Sequence, residues 1–268
     1  MRSRLPRLLL SLLITTLALQ ATAASLEQQR RYYDEAKRAL EKGDSGPYRR
    51  YASVLRDYPL EPYLAYDELT ARLKSASNAD VEKFLAEHGD LPQIGWLKLR
   101  WLRLLAARGD WKTFLAYYDP KLNFTELDCL FGQYQVSHSV AEGDNTAEKL
   151  WLVGKSQPEA CDALFEMWQA RGGLTEERRW KRTKLAVENG NYGLASYLTK
   201  QLTSHRAYGE LLLEVAQKPQ LLSQTERFAS GNTAMADVVS IGLRRLARQD
   251  PEKALGLLDN YARRMAFS

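Results

Sequence analysis

The run Leu40-Glu-Lys-Gly-Asp44 returns, with small changes, as Ala86-Glu-His-Gly-Asp90, Ala106-Ala-Arg-Gly-Asp110, Val140-Ala-Glu-Gly-Asp144 and Val187-Glu-Asn-Gly-Asn191. A glycine just past a helix takes left-handed backbone without steric cost. The Asp or Asn after it offers a side-chain oxygen that caps the next helix. Each run therefore reads as a tight joint between two helices. Arg248-Gln-Asp250-Pro251 is a variant, with Asp as the cap and Pro in the first turn. Joints of this kind make αα-hairpins, and stacked hairpins make solenoids. The glycines at 43, 89, 109, 143 and 190 lie 46, 20, 34 and 47 residues apart, and only one interval matches the tetratricopeptide period. The expected fold class is all-α with no β-sheet: an irregular helix-pair superhelix, an α-solenoid without a strict repeat. A compact helical bundle is the competing arrangement.

Between the joints the apolar period is helical. Ser25-Leu26-Glu27-Gln28 is a capping box opening a helix that Gly43 closes. Tyr48, Tyr51, Leu55 and Tyr58 follow 3-4 spacing up to Pro59. Pro62 suits the first turn of the next helix, with Tyr66, Leu69 and Leu73 on one face. Further amphipathic segments fit 79–88, 92–108, 111–118, 125–142, 146–154, 157–171, 175–189, 191–202, 205–217, 233–248 and 251–264. Ser156-Gln157-Pro158-Glu159 is a second capping box. It leads a helix on which Cys161, Leu164, Phe165 and Trp168 share the inward face.

The first residues set the compartment. Arg2, Arg4 and Arg7 precede an apolar run from Leu8 to Leu19, and Ala21-Thr22-Ala23 supplies a small-residue cleavage site. This is a secretory signal peptide over residues 1–23. The apolar run is well short of the roughly 20 residues that span a bilayer, so no stable membrane anchor is expected. The domain organisation expected is one α-superhelical domain over 24–268. Without the three leader arginines the formal charge of +5 falls to 5 − 3 = +2, which gives little reason to invoke nucleic acid. The basic runs Arg100-Trp101-Leu102-Arg103 and Arg178-Arg179-Trp180-Lys181-Arg182 read first as solvated helix faces, with polyanion binding as the alternative. In an exported protein two cysteines favour a disulfide, and the single intrachain pairing is Cys129–Cys161. Closing a ring of about 33 residues contributes about 3.7 kcal/mol in the loop-entropy picture.

Candidate chemistry is sparse. The histidines His88, His138 and His205 lack metal-ligand spacing, and no phosphate loop or nucleophile elbow occurs, so no metal and no cofactor are expected. The adjacent carboxylates Asp67-Glu68 and Glu176-Glu177 are candidates for acid–base work on a glycoside. Placed near helix starts, they are equally explained by the helix macrodipole. The six tryptophans read as packing residues before sugar platforms. No catalytic residue is assigned.

Two stretches carry a resemblance. Trp151-Leu-Val-Gly-Lys-Ser-Gln-Pro-Glu-Ala-Cys-Asp-Ala-Leu-Phe-Glu-Met-Trp168 and Asp57-Tyr-Pro-Leu-Glu-Pro-Tyr-Leu-Ala-Tyr66 are similar, in order and separation, to stretches of the soluble lytic murein transglycosylase family of Gram-negative periplasms. The resemblance implies periplasmic localisation and a U-shaped helical domain that helps close a ring on which a lysozyme-like catalytic domain sits. It also implies peptidoglycan (murein glycan strands) as the partner. Family members cut the β-1,4 bond between N-acetylmuramic acid and N-acetylglucosamine, leaving a 1,6-anhydro end. The family's catalytic signatures, Glu-Ser-x-Phe, Gly-Leu-Met-Gln and Ala-Tyr-Asn, do not occur in these 268 residues. Ala65-Tyr66-Asp67 and Ala207-Tyr208-Gly209 are near-misses only. The expectation is the non-catalytic superhelical region alone. A freestanding helical-repeat adaptor that binds cell-wall enzymes is the alternative.

Overall fold

The computed structural model describes residues 25–267, so the signal-peptide reading lies outside the described residues. Among the described residues every regular element is helical. The helices are α1 (Leu26–Leu40), α2 (Gly46–Leu55), α3 (Glu61–Ala71), α4 (Asn78–His88), α5 (Ile94–Ala107), α6 (Trp111–Tyr117) and α7 (Thr125–His138). They continue as α8 (Val140–Trp151), α9 (Asp162–Ala170), α10 (Glu176–Glu188), α11 (Tyr192–Lys200), α12 (Arg206–Gln217), α13 (Thr233–Leu246) and α14 (Pro251–Ala262). The chain divides into two compact units, one ending at Leu104 and the other starting at Leu105.

In the first unit α1 packs on α2 and α3 around buried Ala36, Leu55, Tyr58 and Leu64. Tyrosines supply much of the surrounding shell, with Tyr32 and Tyr51 stacked at 4.1 Å between centroids. In the second unit most helices pack on the next in chain order: α7 on α8, α10 on α11, α11 on α12, α12 on α13 and α13 on α14, while α9 packs back on α7 and α8. That succession of stacked helical hairpins is the local construction of an irregular α-superhelix. Two cores fill this unit. One gathers Cys129, Val136, Trp151, Cys161, Leu164, Phe165 and Trp168, and the other centres on α12 and α13. A side chain as large as Phe165 or Leu164 contributes about 1.5–3 kcal/mol when buried.

Four of the expected joints set connections between helices. Gly43, Gly109 and Gly190 have φ of +80°, +72° and +74°, the left-handed cap geometry. Asp110, Asn191 and Asp250 each accept from the amide three residues on, at 3.2, 3.2 and 3.0 Å. The other two joints differ. Gly89 stays right-handed, with φ −65°. Gly143 is not a joint at all: α8 runs straight through Gly143-Asp144, and the break falls at Ser139. The reason is a close approach of helices. A Cβ on Gly143 would lie 2.6 Å from Val136 Cα, so glycine is there to let α8 reach the backbone of α7. The Ser156 capping box does not form either. A short 3-10 turn over Glu159–Cys161 precedes α9, without a side-chain cap, and the Gln157 amide donates instead to the Leu150 carbonyl at 2.5 Å.

Candidate functional site

The first unit holds an open groove of about 850 Å³ between α2, α3 and α4. Its walls alternate in charge. Glu68 of α3 receives Arg49 at 3.3 Å and Arg72 at 2.9 Å, and Arg72 also reaches Asp80 at 3.2 Å. The Ser77 hydroxyl accepts from the Asp80 amide, and the Asp80 carboxylate accepts from the Ser77 amide, so the cap of α4 fixes that carboxylate. Tyr48 donates to Glu61 at 2.7 Å, and burial together with that bond pushes its phenol above the usual range. It therefore remains a donor at any physiological pH. A groove lined by fixed donors and acceptors of both signs suits a polar, extended ligand rather than a small apolar one.

The carboxylate pairs separate into two different roles. Asp67-Glu68 lies in the later half of α3, not near its start, so the macrodipole does not explain it. Glu68 is held instead by its two arginines. Asp67 is exposed on the helix; neighbouring side chains crowd its carboxyl and raise its pKa, with Lys37 opposing. Glu176-Glu177 does open α10. Burial opposes ionisation of Glu176, yet the amides of His205 and Thr203, both at 2.9 Å, and the Ser204 hydroxyl at 3.2 Å hold its carboxyl below the ordinary value. Glu176 thus ties the chain before α12 to the start of α10. Neither pair presents a raised carboxylic acid opposite a free carboxylate, the arrangement that glycoside hydrolysis by two carboxylates needs.

The two basic runs also part company. On α5, Arg100 and Arg103 are exposed while Trp101 and Leu102 are buried, an ordinary amphipathic face. The run on α10 is not a solvated face. Arg178 makes a two-pronged pair with Glu148, Nε to Oε1 and Nη2 to Oε2 both at 2.9 Å, and its Nη1 donates to the Gly173 carbonyl. Trp180 donates to Asp237 at 2.9 Å, and Arg182 is 4% exposed. A second hollow, of about 730 Å³, lies beside Arg182. Sequence reasoning missed it, because a lone arginine in a basic run carries no local sign of burial. Cys129 and Cys161 form a disulfide with Cα atoms 4.8 Å apart, joining α7 to the turn before α9.

The remaining candidates are scattered. Among the described residues no group of three or more His, Cys, Asp and Glu side chains is arranged to hold a metal. Trp101, Trp151, Trp168 and Trp180 are core residues, whereas Trp96 is 55% exposed. Ala65-Tyr66-Asp67 is inside α3, and Ala207-Tyr208-Gly209 inside α12. Among the described residues no helix is long and apolar enough to cross a membrane.

No family model matches the chain. Curated relatives do. The soluble lytic murein transglycosylase of Escherichia coli K12 is 30% identical over 253 residues, covering 93% of this chain and 39% of that protein. The Salmonella typhimurium protein of the same name is 31% identical over 248 residues, covering 91% and 38%. Among solved structures, an inactive mutant of the lytic transglycosylase Slt from Pseudomonas aeruginosa superposes with a TM-score of 0.87 at 68% identity, over 89% of this chain and 39% of that one. The 70-kDa soluble lytic transglycosylase in complex with bulgecin A gives 0.72 at 30% identity, over 90% and 39%. The chain thus spans about two fifths of the length of the proteins it matches.

Proposed function

Starting from the homology of this chain to soluble lytic murein transglycosylases, we propose that it is the superhelical region of such an enzyme, acting in the periplasm after loss of residues 1–23. In this reading it builds much of the ring that holds and orients murein strands. Cleavage of the bond between N-acetylmuramic acid and N-acetylglucosamine, leaving 1,6-anhydro ends, belongs to the whole enzyme and not to the residues of this chain. The observation that carries the reading is the 68% identity and TM-score of 0.87 to Slt over 89% of the chain. The groove in the first unit supports it, because fixed donors and acceptors of both signs fit sugar hydroxyls and peptide groups.

Co-sedimentation of the chain with purified murein sacculi tests binding, and chromatography of the supernatant tests turnover. Retention on the sacculi without release of anhydromuropeptides is the expected result. Failure to sediment with murein overturns the strand-holding role, and genuine release overturns the non-catalytic one. Capture of cell-wall enzymes with no affinity for murein favours an adaptor instead.

A further inference from the structure

Arg182 is the one charged residue buried among the described residues, at 4% exposure. Its guanidinium carbon lies 4.1 Å from the ring centroid of Trp151 and 5.8 Å from that of Phe165. Its Nη2 donates to the Lys155 carbonyl at 3.3 Å, while its buried Nε has no hydrogen-bond partner. No ion pair reaches it among the described residues, and burial holds its pKa down at about 10. Two neighbours are left in the same condition: the Trp151 indole Nε1, a donor, and the Gln157 Oε1, an acceptor, are both buried without partners. All three side chains line the hollow of about 730 Å³.

A buried cation without a counter-ion is costly, and buried donors left unmade add to that cost. A carboxylate entering the hollow would relieve both, since guanidinium is the group best matched to it. The mouth adds a second instruction. Asp162 and Glu166, both exposed and one turn apart on α9, line the same hollow, as does Tyr197, which is 60% exposed. A cation at the floor and carboxylates at the rim call for a ligand with the opposite order of charge. Neither a neutral sugar nor a polyanion has it, but a short peptide with a free C-terminus and an amine does.

We propose that this hollow binds a short peptide end-on, its C-terminal carboxylate on Arg182 and Trp151 and its amine toward Asp162 and Glu166. The backbone N–H next to that carboxylate donates to Gln157 Oε1. The inference names the peptide of murein as the part recognised, and rests on the reading above only for the source of that peptide.

Isothermal titration of the full chain with lysyl-alanine and with its C-terminal amide tests the proposal without any variant. The acid binds and the amide binds at least tenfold more weakly; equal binding of the two, or no binding of the acid, overturns it. Arg182→Gln loses the acid at least tenfold, Arg182→Lys less, and Asp162→Asn with Glu166→Gln, on the exposed rim, weakens it about threefold. Unchanged affinity in a folded Arg182→Gln chain, checked by circular dichroism, also overturns it. Retention on murein without peptide binding sinks this inference and leaves the murein reading standing. Peptide binding without murein retention does the reverse.

Discussion

Replacing Gly143 by alanine sets two terms of opposite sign against each other. In a helix interior, glycine to alanine ordinarily adds about 0.8–1.0 kcal/mol, because alanine restricts the unfolded backbone and exposes less of it. At Gly143 the new Cβ would lie 2.6 Å from the Cα, N and Cγ2 of Val136. Carbon atoms in contact rest about 3.5–4.0 Å apart, so α7 and α8 must separate by about 1 Å. Overpacking costs typically about 1–3 kcal/mol, and two of the three atoms met are backbone, which cannot rotate away; the upper end applies. About 3 against about 1 leaves a net loss of about 2 kcal/mol, or roughly 4–8 °C in Tm for a chain of this size. Gly256→Ala is the control. Gly256 lies exposed in α14 with nothing within 4 Å of its would-be Cβ, so only the propensity term acts and Tm rises by about 2–4 °C. Thermal melts followed by circular dichroism compare the two variants with the parent chain. A Tm for Gly143→Ala at or above the parent value refutes the close-approach argument.

Two further outcomes follow from the same structure. Reducing the Cys129–Cys161 bond removes a constraint on a loop of about 33 residues, and thermal melts with and without dithiothreitol should differ by the equivalent of about 3.7 kcal/mol; coincident melts with fully titratable thiols contradict this. The hydrogen bonds of Arg178 hold the Glu148 carboxyl below its ordinary value of 4.5, so its contribution is present above the unfolded pKa and is lost as pH falls through the folded one. Melts in acid should show Tm falling below about pH 4.5, with Glu148→Gln flattening part of that fall while Asp80, Glu176 and Glu214, also depressed, contribute to the rest; superimposable acid profiles of variant and parent would count against the pair.

The all-α fold was legible because its determinants are local. Glycine after a helix and Asp or Asn after the glycine act over five residues, and at Gly43, Gly109 and Gly190 nothing distant interferes. At Gly143 the same dipeptide is compatible with an uninterrupted helix, and what decides is Val136 on the preceding helix, which no local pattern reports. The capping box at Ser156 fails for a similar reason, since Gln157 is drawn to a carbonyl of α8. The residues of the two hollows were less legible. The Glu68–Arg72 pair is local, four residues apart at the end of α3, but Glu68 becomes the anchor of the first groove only when Arg49, from α2, reaches it as well. Arg182 reads as one more charge in a basic run until Trp151 and Phe165, from earlier helices, close over it.

The disulfide also has a mechanical consequence. When a chain is drawn out by force, a covalent bridge decides which part of it can pay out. The 31 residues between Cys129 and Cys161, α8 among them, lie inside the closed loop and outside the line of force. At about 3.5 Å per extended residue, roughly 110 Å of contour stays hidden however far the rest is drawn out. Stretched from its ends in an oxidising medium, the protein should come up short by that length. In a reducing medium it should recover it.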